Sequence, residues 1–460
     1  PGEDRFRSAY FAFDITNPER HVGDAPAAPK FLWAFRDADL GFTKGVPAVM
    51  RMKSDLVSGE DKGTWYAVFG SGPLSYNGER EVVSNTNRFG NVNEYGHFYV
   101  VDLKTGNLVH KRQIDQDNPD RYAFMGDPST IDLETDFIIT TDGTGKKRAK
   151  KQYITDGVYI GKTYGTKNSN DIWSWKGKMH RILTNKKADP EDWTFSVLFD
   201  PEEPVLMPAT ISNDKKQTPW VYFGTGRLFS AGPGKDQDDL SAGGIYGIKE
   251  GGPNGCWNSQ TSKWKEGCTE QIPFVKDSSL YDMTDVDVQE SGICSNCPGG
   301  GGKNIFEFAD EEINNENEPK NGWYIDLKAG ERVLSTPTLF AGALFVPTYT
   351  PDLSSGICSI FGNSSLSAVY YETGTAFANL GNPKGVFNTV DSGGKVLRDI
   401  DAGKGILSSV SIVVGRGGDS QNGVPDIDII VSNSLGNVDR FGILLTPKKT
   451  GVELFMDKVQ

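Results

Sequence analysis

The feature that most constrains this chain is a series of short, aromatic-rich apolar runs that each stop at glycine: YAVFG (Tyr66–Gly70), VYIG (Val158–Gly161) and VYFG (Val221–Gly224). Runs of this length suit strands better than helices, and the closing glycine lets a neighbouring backbone approach. Further runs read as strands at Tyr10–Asp14, Phe31–Phe35, Trp65–Phe69, His97–Leu103, Lys178–Leu183, Gly244–Ile248, Val333–Leu334, Ala343–Val346, Ser367–Tyr371, Ile406–Val414 and Ile427–Val431. KTGN (Lys104–Asn107) and SLGN (Ser434–Asn437) read as hairpin turns. Helical periodicity is nearly absent. The chain has 54 Gly, 24 Pro, 16 Tyr, 25 Phe and 9 Trp, the mixture expected of short strands joined by tight turns. Irregular repetition over 460 residues predicts an all-β fold, a β-propeller, since a single sandwich is too small. Seven blades of roughly 65 residues would each hold four strands plus insertions.

Residues 1–460 are therefore expected to form a single propeller domain with two segments set apart. Thr141–Gln152 (TDGTGKKRAKKQ) reads as a short basic loop. Residues 251–321 read as a long, polar, Cys-containing insertion with the runs PGGGGK and DEEINNENEPK. Loops of that length are either functional or solvated decoration. Trp257 and Trp264 within it would contact a partner or pack the loop down.

Charge narrows the function. The 48 Lys+Arg against 61 Asp+Glu give a formal net of −13. That balance argues against a general nucleic-acid binder, which needs a basic surface, and against docking on anionic lipid. It fits a solubilising surface, with clustered Asp and Asn in loops as calcium candidates. No apolar stretch approaches the roughly 18 residues that span a bilayer. The opening residues lack the apolar core of a signal peptide, and Tyr10–Phe13 already reads as a strand, so the chain is expected to be part of something longer. Of five cysteines, Cys256, Cys268, Cys294 and Cys297 fall in the insertion, and Cys358 stands apart. That placement suits disulfides in an oxidising compartment, with connectivity open.

Several chemistries fail on spacing. Cys294 and Cys297 form a C-x-x-C pair, but Cys256 and Cys268 are too far apart to complete a zinc site, and the four His form no close pair. Pro298 occupies the position that haem attachment gives to His. No phosphate-binding, dinucleotide or nucleophile-elbow motif is present in the sequence. Asp37 and Asp39 would serve as paired acids for glycoside hydrolysis, though they sit in a strand–turn segment. The stretch Asp419, Gln421, Asn422, Gly423, Asp426 and Asp428 sets side-chain oxygens before a Gly turn and acids at a strand entrance. Calcium takes six to eight hard oxygens, so Asp419, Gln421, Asn422, Asp426 and Asp428 form the first calcium candidate; an Asx-turn capping a hairpin is the structural alternative.

Taken in order, the runs resemble the propeller of the PilY/PilC family. The residues that carry the resemblance are FLWAFRDADLGFTKGVPAVMRM (residues 31–52), GTWYAVFGSGPLSYNG (63–78), GHFYVVDLKTGNLV (96–109), DGVYIGKTYG (156–165) with WKGKMHRI (175–182), PWVYFGTGRLFS (219–230), ERVLSTPTLFAGALFVPTYTPD (331–352) followed by Cys358 and AVYYETG (368–374), and DIIVSNSLGNVDRF (428–441). The match spans about residues 8–445 and leaves 251–321 unmatched. No string is specific alone; the ordered set is. The resemblance implies a non-enzymatic factor exported through the periplasm to the pilus tip or outer cell surface. It implies work with minor pilins in type IV pilus assembly, in twitching, and in attachment to host or abiotic surfaces. The family's calcium loop places acids at alternating positions before the Tyr-Gly strand; here the corresponding residues are Asp132, Glu134, Asp136 and Asp156, the second calcium candidate. About twenty residues separate Asp136 from Asp156, which departs from the family pattern. The competing reading is a quinone-dependent dehydrogenase on a similar propeller, although the adjacent Cys pair of such enzymes is absent from the sequence. A carbohydrate or receptor adhesin with no pilus role has no separate signature here, and Arg416-Gly-Gly-Asp419 is not an RGD tripeptide.

Overall fold

A computed structural model describes residues 8–16, 21–22, 25–26, 29–53, 63–73, 95–115, 122–133, 136–141, 147–167, 173–229, 240–273, 276–315, 320–352, 362–377, 390–414 and 427–443. The chain divides into two compact units, residues 1–197 with 266–269, and residues 198–265 with 270–460.

In the first unit β1 (Tyr10–Asp14), β2 (His21–Val22), β3 (Ala25–Pro26) and β4 (Lys30–Phe35) lead into a meander of β5 (Ala48–Met52), β6 (Thr64–Gly70), β7 (His97–Asp102) and β8 (Leu108–Gln113). β1 pairs only with β4, and β2 with β3, whereas β5-β6-β7-β8 is one antiparallel sheet. Next come β9 (Ala123–Ile131), β10 (Asp136–Thr141), β11 (Lys147–Gln152), β12 (Gly157–Lys167), β13 (Trp173–Leu183) and β14 (Thr194–Phe199). The order β14-β13-β12-β9 makes a second four-stranded sheet, and β10 with β11 stands apart as a two-stranded ribbon. The boundary between the units falls inside β14.

Strand alternation explains why these runs are apolar throughout. On β6 and β7, Tyr66, Val68, Phe98 and Val100 point to one side and pack with Met125, Val158, Ile160 and Ile182 of the next sheet. Ala67, Phe69, Tyr99 and Val101 point to the other side and pack with Trp33 and Phe35 of β4. Both faces of the sheet are covered, so the polar half of the usual in–out alternation is lost.

The second unit repeats the scheme. Its strands are β15 (Thr210–Asn213), β16 (Pro219–Gly224), β17 (Gly244–Lys249), β18 (Trp257–Asn258), β19 (Lys263–Trp264), β20 (Tyr281–Asp282), β21 (Gly322–Asp326), β22 (Thr338–Phe340), β23 (Ala343–Thr350), β24 (Asn363–Tyr370), β25 (Asp399–Lys404), β26 (Ser411–Val414), β27 (Ile427–Ser432) and β28 (Val438–Ile443). The sheets are β15-β16-β17-β21-β20, β22-β23-β24-β25 and β26-β27-β28, with β18 and β19 a small hairpin. On β23, Leu344 and Val346 face Trp220, Tyr222 and Trp323. Ala343 and Phe345 face Ile427, Ile429 and Val431. Each unit is thus three sheets stacked face to face. The architecture is all-β and of the propeller type, built from successive antiparallel meanders.

Both units use tryptophan to pin a Thr-Gly turn. The Trp33 indole N–H donates to the Leu103 carbonyl at 2.9 Å, and a Cβ on Gly106 would lie 2.5 Å from the Trp33 ring. The Trp323 indole donates to the Tyr371 carbonyl at 3.0 Å, and a Cβ on Gly374 would again lie 2.5 Å from the ring. Gly106 and Gly374 have φ of +74° and +70°, so glycine is required twice over, by conformation and by space.

Three expectations change in the structure. Thr141–Gln152 is not simply a loop: Lys147–Gln152 is strand β11, the return arm of a hairpin. Of Ile406–Val414 only Ser411–Val414 is a strand, and Val333–Leu334 is not one. Residues 251–321 are not merely solvated decoration. Tyr281, Met283, Cys294, Cys297, Phe308, Ala309 and Ile313 are buried with Trp220, Tyr222 and Trp323 in the unit's largest core. The capping box at Asn304 starts the single helical turn Ile305–Phe308 that delivers Phe308 there. Trp257 is buried and meets Trp264 edge-on at 5.1 Å between ring centroids. The bulkiest part of the segment is therefore packed down.

Candidate functional site

The root of the β10–β11 ribbon holds the second set of calcium candidates. Register pairs Asp136 with Gln152, so the residues between them fold back on themselves and the chain returns beside its point of departure. The twenty-residue gap between Asp136 and Asp156 in sequence is a hairpin, not a spatial separation. Asp156 is buried; its carboxylate accepts the Leu133 amide at 2.7 Å, and its own amide donates to the Ile131 carbonyl at 2.7 Å. Asp132 is half-buried at the same root. Glu134 lies outside the described residues. Among the described residues no group of three or more His, Cys, Asp or Glu side chains is gathered to hold a metal ion.

Of the first set, Asp419, Gln421, Asn422 and Asp426 lie outside the described residues. Asp428 sits on β27 and pairs with Arg440 of β28. The Arg440 hydrogen bond holds its carboxyl below the usual range.

Asp37 and Asp39 share one cation. Lys111 Nζ lies 2.6 Å from Asp37 Oδ1 and 2.6 Å from Asp39 Oδ2. Asp37 also accepts the Tyr99 hydroxyl and the Asp39 amide, each at 2.9 Å. Burial opposes ionisation of Asp37, but the hydrogen bonds from Lys111, Asp39 and Tyr99 outweigh it and hold the carboxyl below its ordinary value. A glycosidase acid needs the opposite shift. The pair is a strut between the turn after β4 and the β7–β8 hairpin.

Two further charged centres escaped the sequence reading. In the first unit Lys162 of β12 and Lys178 of β13 stand directly opposite in register, a like-charge pair that would be unfavourable alone. Asp115 answers them, 2.7 Å from Lys162, 3.8 Å from Lys178 and 3.7 Å from the His180 ring. Burial works against Asp115, yet His180 and the two lysines hold its carboxyl down. In the second unit Glu203 accepts Lys276 at 2.7 Å, the Tyr246 hydroxyl at 3.0 Å and the Thr225 hydroxyl at 2.5 Å. Lys276 also reaches Asp326 at 3.1 Å and lies over the rings of Tyr246 and Tyr324. Burial pushes Glu203 up, and Lys276, though also buried, is held charged by Glu203 and Asp326. Thr225 belongs to VYFGTGR, the one sequence signal that pointed near this centre.

A third centre is wholly internal. Glu372 is fully buried, accepting the Asn314 amide at 2.7 Å and the Tyr370 hydroxyl at 3.3 Å. Burial raises its carboxyl above the ordinary value. The Tyr222 hydroxyl nearby has no hydrogen-bond partner among the described residues. Cys294–Cys297 forms a disulfide within the same core, and Cys256 and Cys268 are also disulfide-bonded. Two bridges fit an oxidising compartment, the periplasm or beyond. Cys358 lies outside the described residues.

Sheets, struts and bridges together define a rigid propeller-type β protein whose described acids are tied to lysines, turns and caps. No protein-family model matches the chain. It is 25% identical over 377 residues to the type IV pilus biogenesis factor PilY1 homolog of Xylella fastidiosa (strain Temecula1 / ATCC 700964), covering 76% of this chain and 20% of that protein. The chain thus spans about a fifth of that relative's length. Among solved structures, an exo-1,5-alpha-L-arabinanase from a bovine ruminal metagenomic library is 9% identical, covering 87% of this chain and 93% of its own at a TM-score of 0.27. Extracellular domains 1–2 of Drosophila semaphorin 1b are 8% identical, covering 90% and 79% at a TM-score of 0.21. Overlaps this slight carry no functional argument. No helix among the described residues is long and apolar enough to cross a membrane.

Proposed function

We propose that this chain is the propeller module of a type IV pilus biogenesis factor, a non-enzymatic platform outside the cytoplasm that serves pilus assembly and attachment. The observation that carries the reading is the similarity to the Xylella factor over 76% of the chain. The disulfides support an exported protein. On this reading the module acts at the pilus tip or outer cell surface with minor pilins, supports twitching, and meets a host or abiotic surface. Residues 1–460 would then act as one propeller domain of seven blades.

Calcium regulation belongs to the same proposal. The return of the chain at Asp136 and Gln152 supports the second candidate set, because it brings Asp132, Asp136 and Asp156 to one root. Calorimetric calcium titration of the purified chain, repeated with Asp426→Ala and with Asp136→Ala, separates the two sets by which variant loses the site. Heat from neither set in the unmodified chain removes calcium from the proposal.

The test of function is genetic. Deleting the gene in its own bacterium and restoring it with or without this module should abolish and recover surface pili, counted by electron microscopy, and twitching zones on agar. Full piliation and twitching without the module would overturn the reading. A quinone absorption band on the purified protein, with dye-linked alcohol oxidation, would replace it by the dehydrogenase.

A further inference from the structure

The β10–β11 ribbon places a concentrated positive charge on an acidic protein. Strand β11 carries Lys147, Arg148, Lys150 and Lys151, in a chain of formal net charge −13. Register sets Thr141 opposite Lys147, Thr140 opposite Arg148, Ile138 opposite Lys150 and Phe137 opposite Lys151. No acid stands directly across from any of the four, so cross-strand pairing within the ribbon leaves their charge uncompensated. The ribbon has two strands and no third neighbour among the described residues. It is thin, and both outer edges are strand edges.

Alternation decides which partner fits. Lys147, Ala149 and Lys151 belong to one face, and Arg148, Lys150 and Gln152 to the other. Each face carries basic residues, so neither can sink into lipid, which requires one apolar face. Successive residues on one face are about 6.6 Å apart, giving a linear ladder of charge suited to a linear polyanion. The acidic remainder of the chain repels a stiff duplex lying across it, whereas a flexible strand engages the ribbon alone. In the oxidising compartment indicated by the disulfides, the polymer of that character is an acidic polysaccharide.

We propose that the β10–β11 ribbon is a docking edge for carboxylate- or sulfate-bearing polysaccharide. The inference does not depend on a role in pili, because it is tested on the purified chain alone. The probes are fluorescent polygalacturonate and heparin, titrated at rising NaCl. The unmodified chain should bind both, with affinity falling steeply as salt rises. The quadruple variant Lys147→Gln, Arg148→Gln, Lys150→Gln, Lys151→Gln should lose at least tenfold in affinity with an unchanged far-UV circular dichroism spectrum. Lys147→Arg, Lys150→Arg, Lys151→Arg, which keeps the charge, should bind as the unmodified chain does. Equal binding by the glutamine variant would overturn the proposal. So would tighter binding to single-stranded DNA of matched charge, or to vesicles of phosphatidylglycerol, than to either polysaccharide.

Discussion

The two tryptophan-pinned turns are one device in two settings. In the first unit, Lys104 and Thr105 face solvent, and the Asp102 carboxylate alone organises the turn, accepting the Lys104 and Thr105 amides at 3.1 and 2.7 Å and the Thr105 hydroxyl at 2.7 Å. In the second unit Glu372, Thr373 and Thr375 are fully buried. There the two threonine hydroxyls bond each other at 2.8 Å, and Glu372 takes the Asn314 amide. Asn314 comes from the 251–321 segment, as does Phe306, which meets the Tyr370 ring edge-on at 5.1 Å. Water completes the first turn. The second is covered, so its polar groups need protein partners, and the covering segment supplies them.

Breaking the pins should give the largest effect. Trp323→Ala is expected to cost about 4 kcal/mol and Trp33→Ala nearer 3 kcal/mol, since Trp323 is fully enclosed and Trp33 retains some exposure. Denaturant melts, with amide exchange resolving each unit, measure both; equal costs would dissolve the contrast.

The turn partners come next. Glu372→Ala leaves buried amide and hydroxyl groups without an acceptor and should cost about 2 kcal/mol, whereas Asp102→Ala, open to water, should cost about 1 kcal/mol. Glu372→Gln keeps an acceptor and should fall between no effect and the alanine value. A costlier Asp102→Ala would show that solvent does not complete the first turn.

The smallest effect is a pH dependence. Asp37 has a folded pKa below its unfolded value, so its contribution is present above about pH 4 and fades as pH falls through the folded value. Asp37→Asn should flatten the acid side of the stability curve by under about 1 kcal/mol, because the carboxyl is partly screened by water. An unchanged acid limb would mean that Lys111 holds Asp37 no better than solvent does.

Much of the fold was legible because strand alternation is local. YAVFG, VYIG and VYFG became β6, β12 and β16, and KTGN and SLGN became hairpin turns. The pins were not legible, because each joins residues far apart: 70 positions for Trp33 to Leu103 and 48 for Trp323 to Tyr371. KRAKKQ read as a loop because a run of charge masks strand propensity; its pairing with the apolar DFIITT of β10 makes it a strand. The burial of Phe308 and Ile313 was hidden by composition, since two short turns of helix inside a polar segment leave no periodic signal. The Lys162–Asp115–His180 centre was equally silent, since only register brings β12 and β13 lysines together.

The root of the β10–β11 ribbon has an evolutionary consequence. Its entry and exit lie side by side, and Asp156 secures them through the Leu133 amide while β9 and β12 pair beneath. A hairpin grafted at such a socket can be lengthened, recharged or exchanged between lineages without redrawing the sheet that bears it. Binding preference can therefore drift quickly there while the scaffold stays still.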